Sequence, residues 1–142
     1  MLFANAAAAM SALEPEWRWP NFSVAEFTCR CGGRYCDGAY WHEPAFLDGL
    51  QAMRAALGQP MRITSGHRCP QWNGAVGGAA LSQHKRIAAD ISLYGHNRFE
   101  VFVAAKEAGF TGLGLARSFL HVDRRPRAAH WYYRGSRDLW RT

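Results

Sequence analysis

The apolar positions of this chain change their period several times, and each change predicts an element. Over Pro44–Leu57, the residues Phe46, Leu47, Leu50, Met53, Ala56 and Leu57 recur at helical spacing on one face. Pro44 suits a first helical turn, and Gly58 followed by Pro60 ends the segment. A second long helix is predicted from Arg98 to Ala108. Phe99, Phe102, Val103 and Lys106 keep its spacing, Asn97 can cap it and Gly109 stops it. Pro70 to Val76 reads as a short helix. Asn21 to Phe27 reads as a capped turn, with Ser23 and Glu26 spaced as in a capping box.

Other stretches read as strands: Met61–Thr64, Ala88–Leu93, Gly112–Ala116, Ser118–Asp123 and His130–Arg134. Only Arg117 and the segment 124–129 separate the last three, and short connections favour antiparallel neighbours. The expected fold is α+β, a mostly antiparallel sheet packed with two main helices. Residues 1–20 read as an N-terminal tail. Ala6 to Ala9 can extend a short helix there, Pro15 and Pro20 break it, and Trp17 and Trp19 pin the tail onto the body. Residues 21–142 then form a single domain, large enough for a proper core.

Composition narrows the class. Hydrophobic residues make up 49% and charged residues 20% of the chain, the balance of a folded protein rather than a disordered one. The apolar run Ala6–Met10 is far too short to span a bilayer. It is also a poor signal peptide, since no Lys or Arg precedes it and Glu14 and Glu16 follow. The expectation is a protein made in the cytoplasm without a clear signal peptide and with no membrane span. The formal net charge of +6 favours a polyanionic partner, whether nucleic acid, membrane or cell wall. No stripe of alternating basic and aromatic residues singles out nucleic acid, so none is expected as a partner.

The candidate chemistry lies in two stretches. Ser82–Ile91 offers His84 and, with five residues between them, Asp90 within an apolar strand-like segment. A carboxylate in such company is costly unless a charge or metal compensates it. Phe119–Asp123 offers His121 and Asp123, two apart and therefore on one face of a strand, with Leu120 and Val122 toward the core. Two neutral imidazoles and one carboxylate are a ligand set for catalytic Zn²⁺ that leaves a fourth position for water. Arg68 follows a predicted strand end, where its fork could clamp a carboxylate or make a structural salt bridge.

Three of the four cysteines, Cys29, Cys31 and Cys36, cluster in a Gly-rich loop; the fourth is Cys69. Without an export signal, metal binding is preferred to disulfides. The cluster admits a Cys₄ structural zinc, two disulfides or unbridged thiols.

Several motifs in order resemble the M15 family of zinc D,D-peptidases, in its small phage-type and D-Ala-D-Ala carboxypeptidase-like branch. They are Ser65-Gly66-His67-Arg68, Asn73, Val76-Gly77-Gly78-Ala79, Ser82-Gln83-His84, Ala89-Asp90-Ile91, Phe119-Leu120-His121-Val122-Asp123 and Trp131. The Asn21–Phe27 segment with Cys29 resembles that branch too. The resemblance covers roughly residues 20 to 131 and implies an α+β zinc fold. It implies His84, Asp90 and His121 as metal ligands, with Arg68 and Ser82 contacting the substrate's carboxylate or scissile region. It implies peptidoglycan stem peptides as substrate, cut at a terminal D-Ala or at an internal L-Ala to D-Glu bond. It also admits phage or phage-like particle components as partners.

Two positions depart from the family pattern. One fewer residue separates His84 from Asp90, with Ile87 where a Gly is usual. Ser118 stands where many members carry an acidic general base. Asp123 is the best remaining carboxylate for that role, with His130 a weaker substitute; Asp123 could equally accept the free N–H of a ligand His. The departures favour an alternative from another class, a non-catalytic, zinc-stabilised cell-wall-binding or virion structural subunit. The intact His/Asp/His set favours the enzyme.

Overall fold

The computed structural model describes residues 1–141. The first twenty residues fold against the body. Strand β1 (Leu2–Phe3) pairs antiparallel with β2 (Tyr40–Trp41). Helix α1 (Ala6–Leu13) starts at Asn5, whose side-chain oxygen accepts the Ala8 N–H at 2.8 Å. The Trp19 indole donates to Asp48 at 2.8 Å, and that of Trp17 donates to the Phe22 carbonyl at 2.9 Å. The two tryptophans thus pin this segment as anticipated, while strands of two residues carry no period that a sequence could show.

Helix α2 (Pro44–Leu57) has the expected bounds and ends on Gly58 in the left-handed region at φ 63°. The short α3 (Pro70–Ala75) starts at Cys69, and α4 (Arg98–Glu107) starts at Asn97, whose side chain accepts from Phe99 and Glu100. Helices α2 and α4 pack on each other. Phe46, Leu50 and Met53 join Val101, Ile91, Leu113, Leu120 and Val122 in one core. Burying each such side chain contributes about 1.5–3 kcal/mol before the cost of chain ordering.

The main sheet has five strands. They are β3 (Ile63–Ser65), β4 (Ala89–Ser92), β5 (Gly112–Leu115), β6 (Phe119–Asp123) and β7 (Ala129–Tyr132), in spatial order β3-β4-β6-β5-β7. The ladders β3/β4, β4/β6 and β6/β5 are antiparallel and β5/β7 is parallel, so the sheet is mixed. The parallel pair departs from the pairing expected of short connections. Both edges of β6 are already taken, by β4 and β5, so the chain crosses to the free edge of β5 and arrives parallel to it.

Register and pleat then sort the side chains. Ala89, Ile91, Leu113, Leu120 and Val122 share the core face. Asp90, His121, Gly114 and Trp131 form a row of register partners on the other face. Among the described residues, no helix is long and apolar enough to cross a membrane.

Candidate metal centre

Asp90 and His121 are direct partners in the β4/β6 ladder, which brings both to one spot on the sheet. His84 reaches that spot from a 3₁₀ turn, Gln83–Lys85, capped by the Ser82 hydroxyl, which accepts the His84 N–H at 3.2 Å. His84 Nε2 and His121 Nδ1 each lie 3.1 Å from Asp90 Oδ1, and the two nitrogens are 3.2 Å apart. All three side chains are buried. The shortened link between His84 and Asp90 therefore still brings both groups together.

The far nitrogens settle how the rings are used. His84 Nδ1 is 2.7 Å from the Gly66 carbonyl, which can only accept, so this nitrogen carries the proton. His121 Nε2 donates to Asp123 Oδ2 at 2.7 Å. With a proton on each outer nitrogen, the inner nitrogens both meet a carboxylate oxygen, and a proton or a metal ion is needed between them. Ligands about 2.0–2.1 Å from a tetrahedral ion lie about 3.3 Å from one another, close to the separations seen. An N₂O donor set of two imidazoles and one carboxylate suits zinc.

Charge follows the same geometry. Burial alone would raise the Asp90 carboxyl, but hydrogen bonds from His121 and His84 hold it well below the usual carboxylate range. Burial pushes the His121 imidazole down, and Asp123 with Asp90 more than offsets this, so its pKa ends above the ordinary 6.5.

Asp123 lies behind this centre rather than in front of it. It is fully buried; its Oδ1 accepts from the backbone N–H of Arg125 at 3.0 Å and its Oδ2 from Arg125 Nη2 at 2.6 Å. It shares a face with His121, yet it meets only the nitrogen turned away from Asp90 and His84. This placement suits the second of the two roles considered for Asp123, that of accepting the outer N–H of His121. His130 is no substitute. It pairs in register with Leu113, on the helix side of the sheet, and its ring lies 5.8 Å from that of Phe102. Ser118 is exposed, and its carbonyl accepts from Leu93.

His84, Asp90 and His121 open on a cleft of about 460 Å³ walled by Arg68, Ser82, Arg125, Trp131 and Tyr133. Arg68 points an amino group to 3.8 Å from Asp90 Oδ2 and is steadied by Asn73 Oδ1 at 3.4 Å. Asn73 is itself buried and donates to the Ala79 carbonyl at 2.9 Å, which shapes the Gly77–Ala79 rim. The sequence family described as Peptidase M15 matches residues 20–123, a span that contains His84, Asp90, His121 and Arg68.

The chain belongs to the peptidase M15 family. No curated protein matches it. M15 proteins are zinc peptidases, and the donor set of this member fits that metal.

The M15 match also spans four free cysteines, Cys29, Cys31, Cys36 and Cys69, whose sulfurs lie within 4.8 Å of one another and could hold a metal ion. Other contributors were not singled out from sequence. Arg125 holds Asp123 through its Nε as well, at 2.9 Å. The glycines of β5 are the second. A Cβ on Gly114 would meet the Trp131 ring at 2.7–2.8 Å, and one on Gly112 would strike the Asp123 carboxylate. The signal was present as two glycines spaced by two in a strand, which marks close approach over one face.

Proposed function

We propose that this M15 chain is a zinc metallopeptidase that hydrolyses peptidoglycan stem peptides, at a terminal D-Ala or at an L-Ala to D-Glu bond. The observation that carries the reading is the buried trio His84, Asp90 and His121, with ligand atoms 3.1–3.2 Å apart at the floor of an open cleft. Zinc held there would supply Lewis acidity toward a peptide carbonyl and toward water.

The protein's own residues do the rest. Gly66 and Asp123 hold the outer protons of the two imidazoles, so that both inner nitrogens face the cleft as ligands. This makes Asp123 a positioning residue. Arg68 is the guanidinium free to receive a substrate carboxylate, because the Nε and Nη2 of Arg125 are engaged by Asp123. Ser82 fixes the turn that carries His84 and presents its hydroxyl at the cleft wall. The surplus of positive charge suits a polyanionic wall. The reading implies work at the cell wall, with phage-like particles as one route to it.

A second reading has one observation in its favour. Among the described residues, Asp90, itself a proposed ligand, is the only acidic side chain lining the cleft. A non-catalytic, zinc-stabilised cell-wall-binding or virion subunit needs no separate base. Incubating the zinc-loaded protein with purified stem peptides and weighing the products separates the two. Loss of one D-Ala, or a cut at L-Ala–D-Glu, that disappears in His84→Ala supports the peptidase. Intact peptide in the presence of bound zinc supports the second reading.

A further inference from the structure

Residues 28–39 run without helix or strand, apart from bends and turns, and Gly32, Gly33 and Gly38 all take positive φ. This loop buries little apolar surface of its own. What it gathers is sulfur. Cys29, Cys31 and Cys69 are buried together, away from the main core, with Cys36 and Trp72 packed against them. Cys31 Sγ and Cys36 Sγ are 3.6 Å apart. That is far longer than a disulfide bond of about 2.05 Å. It is close to the ~3.8 Å between sulfurs that each stand about 2.3 Å from a tetrahedral ion. Backbone donors already serve the sulfurs: the N–H of Cys69 points at Cys29 Sγ at 3.3 Å and that of Ala39 at Cys36 Sγ at 3.5 Å. Amides aimed at sulfur suit thiolates, the form in which cysteine binds metal.

The cluster is joined to the cleft through a short piece of chain. Cys69 directly follows Arg68 and starts α3. Gly66, whose carbonyl holds His84 Nδ1, sits so close to Phe27 that a Cβ there would meet the Phe27 backbone at 2.6–2.9 Å. His67 N–H donates to the Phe27 carbonyl at 2.9 Å, and Cys29 lies two residues further along. The loop and the Gly66–Cys69 segment are thus held together at both ends, by backbone contact and by sulfur.

We propose that Cys29, Cys31, Cys36 and Cys69 hold a second, structural zinc ion as four thiolates, and that this ion fixes the Gly66–Cys69 segment carrying Arg68 and the carbonyl that orients His84. On binding, each thiol gives its proton to solvent, so no oxidant or reductant is involved. The ion would do for this loop what the hydrophobic core does for the rest of the chain, since small metal-bound loops draw folding free energy from the ligand bonds.

The test counts metal and thiols in the full chain purified under reducing conditions. Elemental analysis is expected to give two zinc ions per wild-type chain, and His84→Ala combined with His121→Ala should keep one. Cys36→Ser changes the least buried of the four cysteines and should lose one zinc and leave the other. The wild type alone gives a readout that needs no variant: cobalt exchanged for zinc should show intense sulfur-to-cobalt charge-transfer absorption. One zinc retained in the His84/His121 double variant and lost in Cys36→Ser would support the cysteine site even if the His/Asp/His reading failed. A zinc content that Cys36→Ser leaves at the wild-type value, an absence of sulfur-to-cobalt absorption, or disulfides detected by mass in the folded protein would overturn the proposal.

Discussion

His121 Nε2 and Asp123 Oδ2 are 2.7 Å apart, and this contact turns the other imidazole nitrogen toward Asp90 and His84. The carboxylate therefore acts on the centre through the ring. Arg125 closes the back of the pair with contacts to both carboxylate oxygens. Asp123→Asn retains shape but weakens the charge that supports the ring. It is expected to lower zinc affinity about 10–100-fold, the usual range for a lost partner of a ligand histidine. Competition with a zinc chelator measures this directly; unchanged affinity would remove Asp123 from the centre.

Gly114 gives a test of the sheet's part in the site. An added Cβ there would lie 2.7–2.8 Å from the Trp131 ring, whose centroid is 5.2 Å from that of His121. Gly114→Ala must displace either the indole or the strand, and such overpacking costs about 1–3 kcal/mol. Chemical denaturation reads the loss, and a shift in tryptophan emission reads the displaced ring. A variant as stable as the wild type would mean that Trp131 has room to move aside.

Zinc affinity should rise with pH across and above the ordinary histidine range. Asp123 and Asp90 raise the His121 pKa above 6.5 in the metal-free protein, despite burial, so a proton competes with the metal there. The sign for folding is opposite. A group whose pKa is raised on folding stabilises the metal-free fold fully below its unfolded value and loses that contribution as pH rises through the folded one. The melting temperature of the metal-free protein should therefore fall, and the gain on adding zinc should grow, between about pH 6 and 8. A zinc-induced shift that does not change over this range would count against a titrating ligand.

Much of this centre was legible because its residues sit on short-period elements. His121 and Asp123 share a strand face whatever the sheet order, and Asp90 stands out as an isolated carboxylate in an apolar segment. Helix α2 could be bounded to the residue, because Pro44 and Gly58 punctuate a regular apolar stripe. What sequence could not supply was depth. Strand alternation says that Asp123 is beside His121; only the packed fold shows it behind the ring, sealed by Arg125. His130 failed as a base for a related reason. The parity of β7 depends on its register against β5, and no local pattern encodes a parallel partner gained because both edges of β6 were taken.

Arg68 provides the sharpest test of what the cleft receives. Its guanidinium lies 3.8 Å from Asp90 Oδ2 and 3.4 Å from Asn73 Oδ1, so it stands at the centre's edge with donors still free for a ligand. A hydrogen-bonded ion pair with a substrate carboxylate is worth about 1.5–3 kcal/mol, or roughly 10–150-fold in binding. Arg68→Lys keeps the charge but loses the planar fork, so it separates bidentate recognition from simple attraction. If the substrate is a terminal D-Ala-D-Ala, Arg68→Lys should raise KM strongly, and amidating the peptide's C-terminus should impose a similar loss on the wild type without a further loss on the variant. If the bond lies inside the stem peptide, C-terminal amidation should leave the wild type nearly unchanged. Steady-state kinetics on the four combinations of enzyme and peptide gives the coupling. Independent, additive losses would show that Arg68 does not hold the terminal carboxylate.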